Sequence, residues 1–295
     1  MSTDSGCENV LSNRRAMEPI RTEVEPRLRP LPGIKAVVFD VYGTLVISGS
    51  GDVGSADTTD RGAYVKDALV AIGLQERLEK APSVDLLHES IAQFNRERVS
   101  EACPKPEVDI VEVWRRVLLS SGLQLDAADI EQVVQLAADY ESRANPTWPM
   151  PNASELLAAL RQRGLPLGIV SNAQVFTPCL VEDLVSGKPL EQSGFALDLC
   201  VFSNRFRQAK PGPRLFEVLK QGLGRRGISP PEAIYVGNDM LNDVWAASEA
   251  GLQTAWFAGD ARSCRPRQDD PRCQSLRPDV VLTDLLQLLE CMQIK

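Results

Sequence analysis

Six short apolar runs punctuate the chain: AVVFDVYG (Ala36–Gly43), LPLGIVSN (Leu165–Asn172), LDLCVFSN (Leu197–Asn204), EAIYVGND (Glu232–Asp239), TAWFAGD (Thr254–Asp260) and DVVLTD (Asp279–Asp284). None alternates strictly between apolar and polar positions, and each ends in small or polar residues. That is the pattern of strands buried on both faces of a parallel sheet. Helical periodicity fills the gaps. PNASELLAALRQRG offers Asn152 as an N-cap with Glu155 three residues on, Leu156, Leu157 and Leu160 on one face, and Gly164 as a stop. PGPRLFEVLKQGLG and NDVWAASEAG repeat the device, the second closing at Gly251. Strands alternating with helices predict an α/β fold, a Rossmann-like parallel sheet with right-handed crossovers and helices on both faces.

Residues 55–148 read differently. YVKDALVAIGLQERL, SVDLLHESIAQFNRERV, DIVEVWRRVLL and DIEQVVQLAADYESR have helical period and no comparable strand run. Val113, Trp114, Val117 and Leu118 make an apolar stripe for packing against neighbouring helices. The expected organisation is a flexible extension over 1–32, a core built from 33–54 and 149–295, and a helical cap over 55–148 inserted after the first strand.

Composition narrows the function classes. With 295 residues, 43% of them hydrophobic, the chain can bury one sizeable core and a smaller second domain. A net charge of −8 argues against nucleic acid or anionic membrane as a partner, since both repel an acidic protein. The first thirty residues hold no signal-peptide core and no membrane-spanning run. The seven cysteines are scattered, odd in number and lack CxxC spacing, which reads as reduced thiols of a cytoplasmic protein and not as a zinc site or disulfide framework.

In an open α/β sheet the ligand site lies beyond the carboxyl ends of the strands. Those ends deliver Asp40, Ser171 with Asn172, Ser203 with Asn204, and the cluster Asn238, Asp239, Asn242 and Asp243. Lys210 follows the third run, just before Pro211. Carboxylates, small hydroxyls, amides and one lysine suit a hard cation and an anion.

FDVYGTL, IVSN, AKPGPRLF and VGNDMLND, in that order and at strand ends, resemble the four motifs of the haloacid dehalogenase-like superfamily of hydrolases. The helical insert stands where that family's C1-type cap stands. The resemblance implies magnesium-dependent phosphoryl transfer to water from a small phosphorylated substrate, with Asp40 as the nucleophile. It implies that Ser171 and backbone amides near it hold phosphoryl oxygens, with Asn172 among the catalytic residues, and that Lys210 bridges nucleophile and substrate charge. Mg2+ would be held by Asp40, the Tyr42 carbonyl, Asp243, and either Asn238 or Asp239. Two departures stand out. Asn238 occupies the place where phosphatases of the family carry an aspartate, and Tyr42 replaces their acid-base aspartate. Tyrosine, with a pKa near ~10, is a poor base at neutral pH.

Tyr42 resembles instead the family's 2-haloacid dehalogenases, whose halide leaving group needs no proton and whose reaction needs no metal. Arg61 is the candidate for a dehalogenase carboxylate-binding arginine, and a binding-only protein is the third reading. His88, the sole histidine, lies in the insert and reads as a partly buried or surface residue. GSGDVG (Gly49–Gly54) fits GxGxxG, but SADTTDRG follows where a dinucleotide site needs a helix to open, so no nucleotide cofactor is expected. The oligomeric state has no signature in the sequence.

Overall fold

The computed structural model describes residues 7–50, 61–126 and 129–293. Its strands are β1 (Ala36–Phe39), β2 (Val46–Ser48), β3 (Thr147–Pro149), β4 (Leu167–Ser171), β5 (Phe195–Phe202), β6 (Ala233–Gly237), β7 (Gln253–Phe257) and β8 (Val280–Leu282). Six form one sheet in the order β5–β4–β1–β6–β7–β8, every neighbouring pair parallel. All six apolar runs of the sequence thus become strands of this sheet. In β1 the side chains divide between two clusters, Val37 and Phe39 on one face and Ala36 and Val38 on the other. Burial on both faces is why these runs do not alternate. Neighbours of β1 come from later in the chain on both sides, so the order reverses at β1, where a doubly wound sheet opens its crevice.

Four helices, α2 (Arg61–Ala71), α3 (Val84–Arg98), α4 (Ile110–Ser120) and α5 (Ile130–Ala144), stand between β2 and β3. The insert leaves and returns through an antiparallel ribbon that the apolar pattern did not announce, with Val46 opposite Pro149 and Gly49 donating to the Pro146 carbonyl at 2.8 Å. The stripe Val113, Trp114, Val117 and Leu118 is fully buried, and the Trp114 ring meets Tyr140 edge-on at 5.3 Å. The same hydrophobic cluster runs from one sheet face into these helices. Of the GxGxxG stretch, residues 51–54 lie outside the described residues.

The amino-terminal segment differs from the loosely ordered extension that its polarity suggested. Helix α1 (Cys7–Ser12) packs on α5, and Arg27 exchanges main-chain hydrogen bonds with Val281 at 2.9 and 3.0 Å. This bridge covers the outer edge of β8, which would otherwise expose unpaired N–H and C=O groups. Between α1 and Arg27, Thr22 Oγ1 donates to the Ala258 carbonyl at 2.7 Å.

The cysteine expectation is also corrected, because Cys7 and Cys179 form a disulfide across 172 residues. Spacing arithmetic sees only local patterns, and this pair meets through tertiary packing of α1. Asn152 precedes the helix Ala153–Gln162 but does not cap it through its side chain, since its backbone is left-handed. Its amide instead donates to Asp284 at 2.7 Å. Among the described residues no helix is long and apolar enough to cross a membrane.

Candidate active site

Asp40 is the first residue past β1, and its N–H still donates to the Val236 carbonyl at 2.9 Å, so the neighbouring strand fixes its main chain. The turn after it depends on Gly43, whose φ is +79° and where a Cβ would meet Ser263 at 2.5 Å. Lys210 Nζ lies 2.9 Å from Asp40 Oδ1 and 2.6 Å from Asp243 Oδ1. It also donates to the Val170 carbonyl at 3.1 Å and to the Tyr235 hydroxyl at 2.9 Å.

The Lys210 side chain is 2% exposed. Burial alone lowers a lysine pKa, but the charges of Asp243 and Asp40 outweigh it and hold the ammonium protonated. Burial, with Asp40 and Asp239 nearby, pushes Asp243 upward, and Lys210 opposes that push. The close approach of Asp243 requires Gly237, where a Cβ would stand 2.4 Å from the carboxylate carbon. Tyr235 went unnoticed in the sequence, where it reads as one more strand residue of an apolar run.

The residues expected to hold Mg2+ gather at this edge, and the side chain of each has a protein partner. Asp239 caps the turn that follows it, accepting from Leu241 N at 2.8 Å and Asn242 N at 3.0 Å. Arg267 then grips it with Nη2 at 2.6 Å from Oδ2. Asn238 accepts from Thr44 Oγ1 at 3.1 Å and donates to the Ser263 carbonyl at 2.7 Å. Asp243 Oδ2 accepts from Asp239 N at 2.9 Å. Among the described residues no three His, Cys, Asp or Glu side chains come together to hold a metal. As arranged, the set does not fit a magnesium cage. Arg267 had no signal in the sequence, because it comes from a loop far beyond the fourth motif.

Ser171 is fully buried at the end of β4. Asn172 accepts from the main-chain N–H of Lys210 at 2.7 Å, which ties the second motif to the third. The Tyr42 hydroxyl lies 3.0 Å from Thr177 Oγ1. Burial, and then the charge of Glu141, push its pKa further above the ordinary tyrosine value. Its side chain is therefore a hydrogen-bonding strut, not a proton carrier.

Across from the sheet edge, the insert encloses a cavity of about 430 Å3 whose wall includes Arg61, His88, Asn95, Glu107, Glu141 and Gln174. Arg61 Nη1 lies 3.1 Å from His88 Nε2, and burial, then Arg61, lower the His88 pKa. Arg61 Nε and Asn95 Oδ1 are buried without a hydrogen-bond partner among the described residues. A second opening of about 680 Å3 has Lys210, Asn172, Asn242 and Arg267 in its wall. Glu107 lines both. Ser203, expected at the site, accepts from Ala173 N at 2.8 Å and donates to Glu107 Oε2 at 2.8 Å.

Comparison with known proteins adds to this geometry. The chain is 29% identical over 189 residues to the phosphoserine phosphatase of Thermus thermophilus, covering 62% of this chain and 68% of that protein. It is 27% identical over 238 residues to the glyceraldehyde 3-phosphate phosphatase of Methanopyrus kandleri, covering 80% and 90% of the two chains. Its fold matches the crystal structure of a 2-haloacid dehalogenase from Pseudomonas syringae pv. Tomato DC3000 with a TM-score of 0.57 at 22% identity, over 88% of this chain and 98% of that one. The family model described as haloacid dehalogenase-like hydrolase matches residues 34–251, from β1 through the strand-end residues Asp239 and Asp243, and the chain belongs to that family of hydrolases.

Proposed function

We propose that the chain hydrolyses a small phosphorylated metabolite through an aspartyl phosphate on Asp40. The observation that carries this reading is the buried ammonium of Lys210, placed between Asp40 and Asp243. A carboxylate attacks a phosphate ester against the repulsion of two anions, and a fixed cation beside the nucleophile offsets that repulsion in a poorly solvated site. Asp40 Oδ forms the bond to phosphorus while the ester oxygen leaves. Ser171 and Asn172, at the adjacent strand end, hold phosphoryl oxygens. The phosphatases among its relatives support this substrate class.

Mg2+ is the metal that the family resemblance implies. The commitment of Asp239 to Arg267 and the locked Tyr42 hydroxyl favour a second reading, a 2-haloacid dehalogenase in which Asp40 displaces halide from carbon.

The test is a panel of small phosphate esters and 2-haloacids, each assayed with Mg2+ and with chelator. Turnover of phosphate esters supports the proposal. Halide release from 2-haloacids with no phosphate release from any ester replaces it with the second reading. Calorimetry alongside asks whether Mg2+ binds the wild type, or only Arg267→Ala, in which Asp239 is freed.

A further inference from the structure

A phosphatase with tyrosine at position 42 lacks a group to protonate its leaving alcohol, and the fold brings another carboxyl group to the opening lined by Lys210 and Asn172. The loop between α3 and α4 folds back onto the segment that leads to Lys210. Ala209 N donates to the Lys105 carbonyl at 2.8 Å and Glu107 N to the Arg207 carbonyl at 3.1 Å. This clamp sets Glu107 where the insert cavity and the opening beside Lys210 and Asn172 share a wall. Lys210 in turn touches Asp40. On the phosphatase reading, a leaving group that runs from Asp40 past Lys210 toward the insert cavity would meet this carboxyl on the wall the two spaces share.

We infer that Glu107 is the general acid and base of this enzyme, in the role that Tyr42 cannot fill. The inference rests on the phosphatase reading. In the first step Asp40 bonds to phosphorus, the phosphorus–oxygen bond to the alcohol breaks, and the proton on Glu107 passes to the departing oxygen. In the second step the Glu107 carboxylate takes a proton from water as the water oxygen bonds to phosphorus. Inorganic phosphate leaves, Asp40 regains its carboxylate and Glu107 its proton, so the net reaction is ester plus water to alcohol plus phosphate.

The hydrogen bonds around Glu107 accommodate both protonation states. Oε1 is held by Val108 N at 3.1 Å and Gln174 Nε2 at 3.3 Å. Oε2 faces the Ser203 hydroxyl, whose other acceptor, the Ala173 carbonyl, is 3.3 Å away. Ser203 can thus donate to a carboxylate or turn to Ala173 when Glu107 carries the proton. Burial pushes Glu107 up to about 7, with the bonds from Ser203 and Val108 opposing it, which matches the working range of an acid-base group at neutral pH. The charged groups around it are Lys105, Lys210, Arg267 and Arg272 at the opening, and Arg61, His88 and Glu141 at the cavity. Asp109 and Arg207 flank it on the two paired segments.

The experiment compares Glu107→Gln, Glu107→Asp and Glu141→Gln with wild type on p-nitrophenyl phosphate, whose leaving group needs no proton, and on glycerol phosphate, whose leaving group does. In wild type, kcat/KM for glycerol phosphate falls as pH rises through about 7, because the acid form of Glu107 is lost. Glu107→Gln should remove that limb and lower kcat/KM for glycerol phosphate ~100-fold more than for the aryl ester, a typical general-acid contribution. Glu107→Asp should keep a limb at a reduced rate, which a purely structural role of Glu107 does not require. Equal losses on the two esters, a limb that survives in Glu107→Gln, or a limb lost in Glu141→Gln instead would overturn the inference while leaving the phosphatase reading intact. If wild type hydrolyses neither ester, the phosphatase reading fails and this inference falls with it.

Discussion

At the sheet edge Lys210 divides its ammonium among Asp40, Asp243, Tyr235 and the Val170 carbonyl, whereas across the cleft Arg61 and Asn95 keep buried polar atoms without partners among the described residues. A buried charge left unpaired costs several kcal/mol, so the edge satisfies its own groups and stands preformed. Buried polar atoms left unpaired in the insert are groups that a ligand can satisfy. On the proposed reading the edge carries the chemistry and the insert cavity substrate selection.

The largest effect is expected at Asp40, the proposed nucleophile. Asp40→Asn should abolish turnover, by about 10^4-fold or more, while circular dichroism and melting remain near wild type. A folded variant with comparable turnover would remove the edge from the chemistry. Lys210→Met is next. It strips the cation from two buried carboxylates and should cost roughly 3–5 kcal/mol of stability in denaturant titration, with ~10^3-fold slower turnover. Near-native stability there would mean that Asp243 is neutral in the folded protein.

The insert should respond in another parameter. Arg61→Ala should raise KM about tenfold with kcat little changed, since it removes binding common to ground and transition states. A fall in kcat of the same size would place Arg61 with the reacting atoms. The smallest effect is expected from Tyr42→Phe, which deletes the hydroxyl facing Thr177 and should cost about 1 kcal/mol of stability with turnover within ~3-fold. A large rate loss there would make the tyrosine hydroxyl part of the reaction.

How much of this could be read from the sequence follows the same division. Asp40, Asn172, Lys210 and Asp243 sit at or just past the ends of apolar runs, and a parallel sheet brings such ends together, so sequence order and strand period suffice to find them. Glu107 and Arg267 stand on loops and Thr177 opens a three-residue helix, segments whose positions depend on tertiary packing with no long period of their own. Asp239 was found, but its pairing with Arg267 was not. Cys7 and Cys179 failed for the same reason, being 172 residues apart. The polar amino-terminal segment looked unstructured because edge pairing by Arg27 is made by main-chain groups, which side-chain composition does not record.

The central claim is that Asp40, charge-balanced by Lys210, takes the phosphoryl group covalently. Rapid acid quench during turnover of a phosphate ester, followed by peptide mass spectrometry, tests it directly. The account predicts one added phosphoryl group on the peptide that contains Asp40, absent in Asp40→Asn. Continued phosphate release with no adduct on that peptide at any quench time, or an adduct that persists in Asp40→Asn, would contradict it.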